Sequence, residues 1–497
     1  MECGLTQTAM DKILKILRSY TDPYAIHDLP ATFRTAVGKY PDFQIENVDD
    51  EENLHHANTD EKNVKDVNNP QFIYFGIQKS VSFGVAKIDD VESYEGDALL
   101  LNINIDGAPS FSSSKKQIWP IFGSFFENDP FVIALYYGSS KPKNANNFLK
   151  HFVDEVWEIN TTTGIEVKNQ VYSIKLNCGI FDSPARSFTL GIPYFNSYEG
   201  CFRCHEEGVH IDHRMCFLGI DAPKKTMEDI LNYYRETGKN DCELLRLDYD
   251  IPNMTILDVL HVIDLGVTKK IMKLITATLS PALLAFFSNL LSGLKKYAPR
   301  EFQRKPRSLE EMAFFKGKEY RALLHYILPV IFENRILISK AHYNHLMSLH
   351  VAYRILSDEE MIKDQANLNY ARDRLRNFVA DFGTLYGEKY VSYNVHVLIH
   401  IVDDVERFGK IVTQLSAYKY KTFMRMVGKL VRSATYPAVQ IARRIHEMSV
   451  FRVDFFNRGN LAYMVLIERT RISSQNCTLK NIISTVPLIV WQINFVE

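Results

Sequence analysis

The stretch from Ala98 to Glu127, ALLLNINIDGAPSFSSSKKQIWPIFGSFFE, constrains this chain most. An apolar run leads straight to one carboxylate, Asp106. It then breaks at Gly107 and Pro109, crosses a polar loop and returns as a second apolar run through Trp119. Apolar runs of about four to eight residues bounded by Gly and Pro read as buried strands rather than helices. Asp106 therefore stands where a central strand ends, a place from which a sheet can present a reactive group. An Asp that opens a turn before Gly is more often only a turn residue, so the position needs a partner before it carries meaning.

The next elements supply that partner. Ala98–Asp106, Gln117–Phe126 and Phe131–Tyr137 read as strands, and Asn144–Ile159 has helical spacing in Phe148, Phe152 and Val156. Val171–Phe181 reads as a further strand that runs into Asp182, where Ser-Pro-Ala-Arg makes a plausible helix start because Pro suits the first turn. A meander, a crossover helix and a returning strand, with acids at the first and last strand ends, describe an α/β fold with a ribonuclease-H-like mixed sheet. In such a sheet those two strands are neighbours, which brings Asp106 and Asp182 together. Paired carboxylates there can hold Mg2+ or Mn2+ for metal-assisted displacement at phosphorus.

Composition bounds the rest. The chain has 497 residues with a formal charge of −1, so it is no polycation, and nucleic-acid binding must come from local patches. No run of about eighteen apolar residues exists to cross a membrane, and the N-terminus lacks a basic region followed by an apolar core, so secretion is not expected. Seven cysteines in so long a chain do not make a disulfide scaffold.

Residues 1–43 form a short helical segment (Met10 to Leu17, then Leu29–Val37), and 44–70 an acidic linker with eight acids between Glu46 and Asp66. Residues 71–224 hold the first part of the core. Residues 225–389 form an all-helical insertion with helices over Met227–Thr237, Lys269–Lys296, Glu319–Ser339, His345–Leu356 and Glu360–Tyr386. Residues 390–450 complete the core with helices over Tyr390–Val405, Ser416–Arg432 and Val439–Met448, and 451–497 remain an unassigned tail.

Cys201-Phe-Arg-Cys204 lets two thiolates share one tetrahedral ion, the usual meaning of Cys-x-x-Cys in an intracellular protein. His210, His213 and Cys216 can complete such a Zn2+ site, and so can His396 and His400 in NVHVLIH. The latter spacing puts both imidazoles on one helix face. Asp258-x-x-His261 is a third candidate pair, weighed against an N-cap Asp beside a satisfied histidine.

Seven segments taken together resemble the transposase-derived proteins abundant in arthropod genomes and, more distantly, the transposases of plant CACTA elements. They are IDGAPSFSSSKKQIWPI, KPKNANNFLKHFVDEV, IFDSPARSF, YEGCFRCHEEG, DVLHVIDLGVTKKIM, YVSYNVHVLIHIVDDVERFG and LVRSATYPAVQIARRIHE. The resemblance runs co-linearly from about Gln71 to Met448. It implies an Asp-Asp-Glu nuclease core that cuts and joins DNA, a nuclear location and self-association. Asp106 and Asp182 match the first acids, and Cys201, Cys204, His396 and His400 match a split zinc site. In the related V(D)J-recombinase lineage such a site clamps the insertion onto the core.

The departure is at the third acid. Where family members read like Ser-Ala-Phe-Pro-Phe-Glu-Asn, this chain has Ser416-Ala417-Tyr418-Lys419-Tyr420-Lys421-Thr422, so Lys421 holds the glutamate position. Glu406 and Glu447 are the nearby acids that can substitute, and neither lies in the matching motif. Basic residues are dense around this point. Seven Lys or Arg (Lys419, Lys421, Arg425, Lys429, Arg432, Arg443, Arg444) and no acid lie between Lys419 and His446, interleaved with aromatics that can stack on bases. Lys295–Arg321 adds nine basic residues against four acidic. The chain reads as a DNA-binding transposase core that has lost strand cleavage. An active metal-dependent transposase is the alternative, and a non-functional remnant the second.

Overall fold

In the computed structural model, residues 45–49, 70–82, 88, 94–109, 116–125, 128–162, 164–167, 169–432 and 436–450 are described. The expected N-terminal helices, most of the acidic linker and the tail after 450 lie outside them. The described residues up to 438 group as one compact unit, and the described residues from 439 to 450 belong to a second.

β-Branched and aromatic residues build a mixed sheet whose strands are β1 (Gln71–Tyr74), β2 (Ala98–Ile105), β3 (Gln117–Phe125), β4 (Phe131–Gly138), β5 (Gln170–Phe181) and β6 (Thr255–Ile256). Their order is β1-β4-β3-β2-β5-β6. β2, β3 and β4 form an antiparallel meander, and β5 returns parallel to β2 with Ile105 opposite Phe181. The register of β3 against β4 shifts between Ile121 and Phe122, beside Pro120, which has no N–H to give to the ladder. Residue 46 falls in the stretch expected to be linker, yet Glu46 bridges Phe72 of β1 and its carboxylate meets His151 at 2.7 Å. The chain is therefore already docked on the sheet edge at this point.

The crossover helix α1 (Ala145–Thr161) starts at Asn144, whose side chain accepts from the N–H groups of Asn146 and Asn147. Phe148, Leu149, Phe152, Val153, Val156 and Ile159 form its buried stripe. Phe148 meets Phe72 of β1 and Tyr136 of β4 edge-on. Helix α2 (Ser183–Leu190) begins as the Ser-Pro-Ala-Arg motif predicts, with Asp182 at its N-cap accepting from the Ala185 N–H at 2.8 Å.

One face of β2 buries Leu99, Leu101, Ile103 and Ile105, while the other carries Asn102, Asn104 and Asp106, which are also buried. Asn104 donates to the Ile180 carbonyl of β5, and Asn102 accepts from Asn177, so this polar row ties the parallel pair together.

Residues 225–389 are not all-helical as expected, because Thr255–Ile256 joins the sheet as β6 beside β5; elsewhere in this insertion α3 (Met227–Thr237) has the expected bounds and a capping box between Thr226 and Asp229. Other helices differ from the sequence reading. Lys269–Lys296 is broken at Leu279, because Ser280-Pro281 starts a new helix. The run expected over Glu319–Ser339 is α4 (Gly317–Ala322), a wide π-helical turn over Leu323–Ile327 and a short helix ending at Ile331. Helices α5 (Lys340–Leu356) and α6 (Gln365–Tyr386) pair, with His345 stacked on Phe378 at 4.0 Å. Tyr390–Val405 is a succession of short turns leading into α7 (Ile401–Phe408) rather than one helix.

Helix α8 (Tyr418–Lys429) then lies across the polar face of β2 and β3. Phe423 meets Phe122 at 4.9 Å and the Tyr420 hydroxyl lies 2.8 Å from the Ser124 hydroxyl. In the second unit, on the helix Pro437–Val450, Arg444 pairs with Glu447 at 2.6 Å.

Candidate active site and candidate metal centre

Parallel pairing of Ile105 with Phe181 puts the next residue of each strand, Asp106 and Asp182, on neighbouring strand ends and on the same face. Both line an open groove of about 480 Å³ with Gly107, Ala108, Pro109, Gln117, Trp119 and Pro184. Gly107 is required there, since a Cβ would stand 2.5 Å from the Trp119 ring. Among the described residues no glutamate lines the groove. Instead the Lys421 ammonium, one turn into α8, forms an ion pair with the Asp106 carboxylate.

Burial pushes the Asp106 carboxyl above its ordinary value and Asp182 pushes the same way, while Lys421 and His261 pull it down. At Lys421 burial disfavours the charge, but the adjacent Asp106 outweighs it and the ammonium titrates above its ordinary value. The lysine is therefore charged at neutral pH and aimed at the first acid.

The start of α8 is fixed by Asp258. Its Oδ1 accepts from the Ser416 hydroxyl at 3.0 Å and the Ala417 N–H at 2.9 Å, and its Oδ2 meets Nδ1 of His261 at 2.5 Å. Burial would raise the Asp258 carboxyl, but His261 and these donors win and it lies below its ordinary value. Burial would likewise lower His261, but Asp258 raises it. Asp258 and His261 are thus paired with each other through Oδ2 and Nδ1, and Asp258 also acts as a cap. The local signal for a cap was present, whereas the reach of Asp258 to residues 416 and 417 was not.

Of the alternatives for completing the Cys-x-x-Cys, the fold selects His396 and His400. The ligand atoms of Cys201, Cys204, His396 and His400 all lie within 4.8 Å of one another, and all four residues are buried. Sγ of Cys201 and Cys204 are 3.6 Å apart, Cys204 Sγ is 3.3 Å from Nε2 of His396, and Cys201 Sγ is 3.8 Å from Nε2 of His400. A tetrahedral ion with bonds of ~2.3 Å to sulfur and ~2.0 Å to nitrogen requires edges of about 3.3–3.8 Å, so the residues can hold a metal such as zinc. The other ring nitrogen of His396 meets the Gly219 carbonyl at 3.1 Å, which leaves Nε2 facing the thiols. Burial raises the Cys201 thiol, but hydrogen bonds with Cys204, His396 and His400 bring it well below its ordinary value, while Cys204, which donates to Cys201, is raised. His210 and His213 are exposed on a separate hairpin, whose last residue is Cys216.

Contacts beyond the ligands connect this cluster to the groove. Arg203, between the cysteines, donates to the Thr255 carbonyl of β6 at 2.7 Å and forms a buried ion pair with Asp404 of α7. The other Asp404 oxygen accepts from the Leu257 N–H at 2.9 Å, one residue before Asp258. Arg186 of α2 packs its guanidinium over Phe202 at 4.4 Å and Tyr393 at 5.1 Å. The helix that begins at Asp182 is thereby held against the segments bearing both pairs of ligands. Neither arginine was foreseen, because nothing in a linear pattern marks a partner about 200 residues away.

The basic residues separate. Lys419 turns inward and donates to the Ser124 hydroxyl at 2.9 Å, whereas Arg425, Lys429 and Arg432 are exposed. Arg443 and Arg444 lie on the helix of the second unit. Glu406 is engaged by Arg372 at 2.6 Å and Gln365 at 2.8 Å. No helix among the described residues is long and apolar enough to cross a membrane. Compared with protein-family models and with curated proteins, the chain matches none.

Proposed function

We propose that this chain is a transposase-derived, nuclear DNA-binding protein with a ribonuclease-H-like nuclease core whose metal site is disabled by an internal cation. The observation that carries the reading is the Lys421–Asp106 ion pair beside a groove lined, among the described residues, by two aspartates and no glutamate. In an active core, Asp106 and Asp182 would hold Mg2+ or Mn2+ together with a third carboxylate, and the ions would activate the attacking water and stabilise the leaving oxygen. Here an ammonium stands at the third position, neutralises one of the two acids and repels a divalent ion. Zn2+ at Cys201, Cys204, His396 and His400 would serve as a structural cross-link between the core and the segment that follows the insertion. Glu406, tied to Arg372, gives the active alternative no third ligand.

DNA binding then needs no divalent metal. Fluorescence anisotropy of the full chain with duplex DNA is expected to give the same affinity in EDTA and in Mg2+ of equal ionic strength, with both falling as salt rises. A tenfold or greater tightening by Mg2+ would instead mean that the carboxylates still recruit the ion, and no binding at low salt would leave only the remnant reading.

A further inference from the structure

The insertion and α8 meet at one unneutralised cluster of cations. Lys318 and Arg321 of α4 both face the ring of Tyr418, at 5.7 and 5.9 Å from its centroid, and Arg321 also lies 6.0 Å from the Tyr353 ring. Arg425 is exposed on α8, one turn beyond Lys421. Among the described residues none of the three makes an ion pair. Glu319, which lies between Lys318 and Arg321 in the chain, gives its carboxylate to Arg307 at 2.7 Å and to the Lys316 N–H at 2.8 Å. Among the described residues Lys318 donates only to the neutral side chain of Gln303.

The acid coupled to Arg321 is buried and does not form an ion pair with it among the described residues. Asp264 is fully buried beneath Tyr418, whose hydroxyl donates to it at 2.6 Å, and burial pushes its carboxyl up to about 8. Tyr418 and Arg321 pull the other way. Burial, then Arg321 and Arg425, hold the Lys318 ammonium below the ordinary lysine value, as expected of like charges gathered without a counter-ion. The crowding is built into the fold. A Cβ on Gly317 would stand 2.2 Å from Leu260 and 2.8 Å from the Tyr418 hydroxyl, so only glycine lets α4 approach α8 this closely.

We propose that Lys318 and Arg321 beside Tyr418, with Arg425 further along α8, form a phosphate-binding track that guides a DNA strand along α8 toward the groove at Asp106 and Asp182. The proposal rests on the reading of the chain as a DNA-binding protein. Separate cations suit a polymer of phosphates better than one free phosphate. Arg425 follows Lys421 by about 6 Å along the helix and stays exposed, so the charges make an open line rather than a closed pocket. Arginine beside an aromatic ring also supplies a fork for phosphate oxygens and a surface on which a sugar or base can rest.

The test is the salt dependence of duplex-DNA binding by the full chain, read by anisotropy between ~50 and ~200 mM salt. The triple variant Lys318→Gln/Arg321→Gln/Arg425→Gln is expected to have a slope of log K against log salt shallower by about 2.7, from three lost contacts at about 0.9 each, and at least about tenfold weaker binding. The charge-keeping variant Lys318→Arg/Arg321→Lys/Arg425→Lys should keep the parent slope and controls for folding, alongside melting temperatures. Removing equal charge at lysines already paired with acids, as Lys150→Gln/Lys175→Gln/Lys363→Gln, should leave the slope nearly unchanged. A parent that binds DNA while the first triple keeps its slope overturns the track alone. A parent that does not bind overturns the DNA reading and the track with it. If inorganic phosphate raises the parent's melting temperature, but not the triple variant's, while DNA binding is equal in both, the site serves another anion and the DNA assignment is wrong.

Discussion

Cys204→Ser protein is expected to purify without its metal and to melt about 5–10 °C below the parent. The physical basis is the distance in sequence that one ion would close. Cys204 and His396 are 192 residues apart, and Cys201 and His400 are 199 apart, yet their ligand atoms meet in one buried cluster. A ligand present at ~1,000 times its Kd stabilises the fold that binds it by about 4 kcal/mol. The apo site also leaves buried thiols and imidazoles that satisfy one another only weakly. Failure should spread along named contacts, since Arg203 sits between the cysteines and holds β6 and α7 through Thr255 and Asp404. Calorimetry with metal analysis checks this. A parent purified without chelator that carries about one zinc per chain, and a variant that carries none and melts early, agree with it. A parent devoid of zinc, or a variant with unchanged melting, does not.

Lys421→Glu is expected to tighten Mn2+ binding at the Asp106 groove by about a hundredfold. Two unit charges ~4 Å apart at an effective dielectric of ~20 interact by about 4 kcal/mol. The Lys421 side chain is 40 % exposed, so solvent screens this, and a discount to about 1–2 kcal/mol per reversed charge unit is appropriate. Two units are reversed, and about 2.7 kcal/mol is a factor of about a hundred. Loss of the ammonium also returns Asp106 to the ion as a ligand. Isothermal titration of parent and variant measures the difference, with Asp106→Asn in the variant background expected to abolish the gain. Equal affinity in parent and variant would mean that Lys421 does not govern the site.

How far the sequence carried this depended on the kind of signal. The strands ending at Asp106 and Asp182 were legible because apolar β-formers stop abruptly at Gly or Pro, and the observed bounds fall within a residue or two of the expected ones. The pairing of those strands followed from element order alone. Residue type left His210, His213, His396 and His400 open, the resemblance pointed to His396 and His400, and the fold brings those two to the cysteines. Helix continuity was read poorly. Pro281 starts a new helix where periodicity runs through, and around His396 and His400 regular helix gives way to short turns while their side chains converge on the cysteines. β6 is only two residues long, too short to leave a pattern, yet it anchors Arg203 and leads into Asp258. The cation cluster at Tyr418 was partly visible as two basic stretches, but only packing places Lys318 and Arg321 on one ring.

The central claim, that an internal lysine has silenced a two-carboxylate nuclease site, is tested most directly by incubating the parent protein with supercoiled DNA and Mn2+ and measuring nicked product. The account predicts none above the level given by Asp106→Asn protein. Nicking that requires Mn2+ and disappears in Asp106→Asn would contradict it.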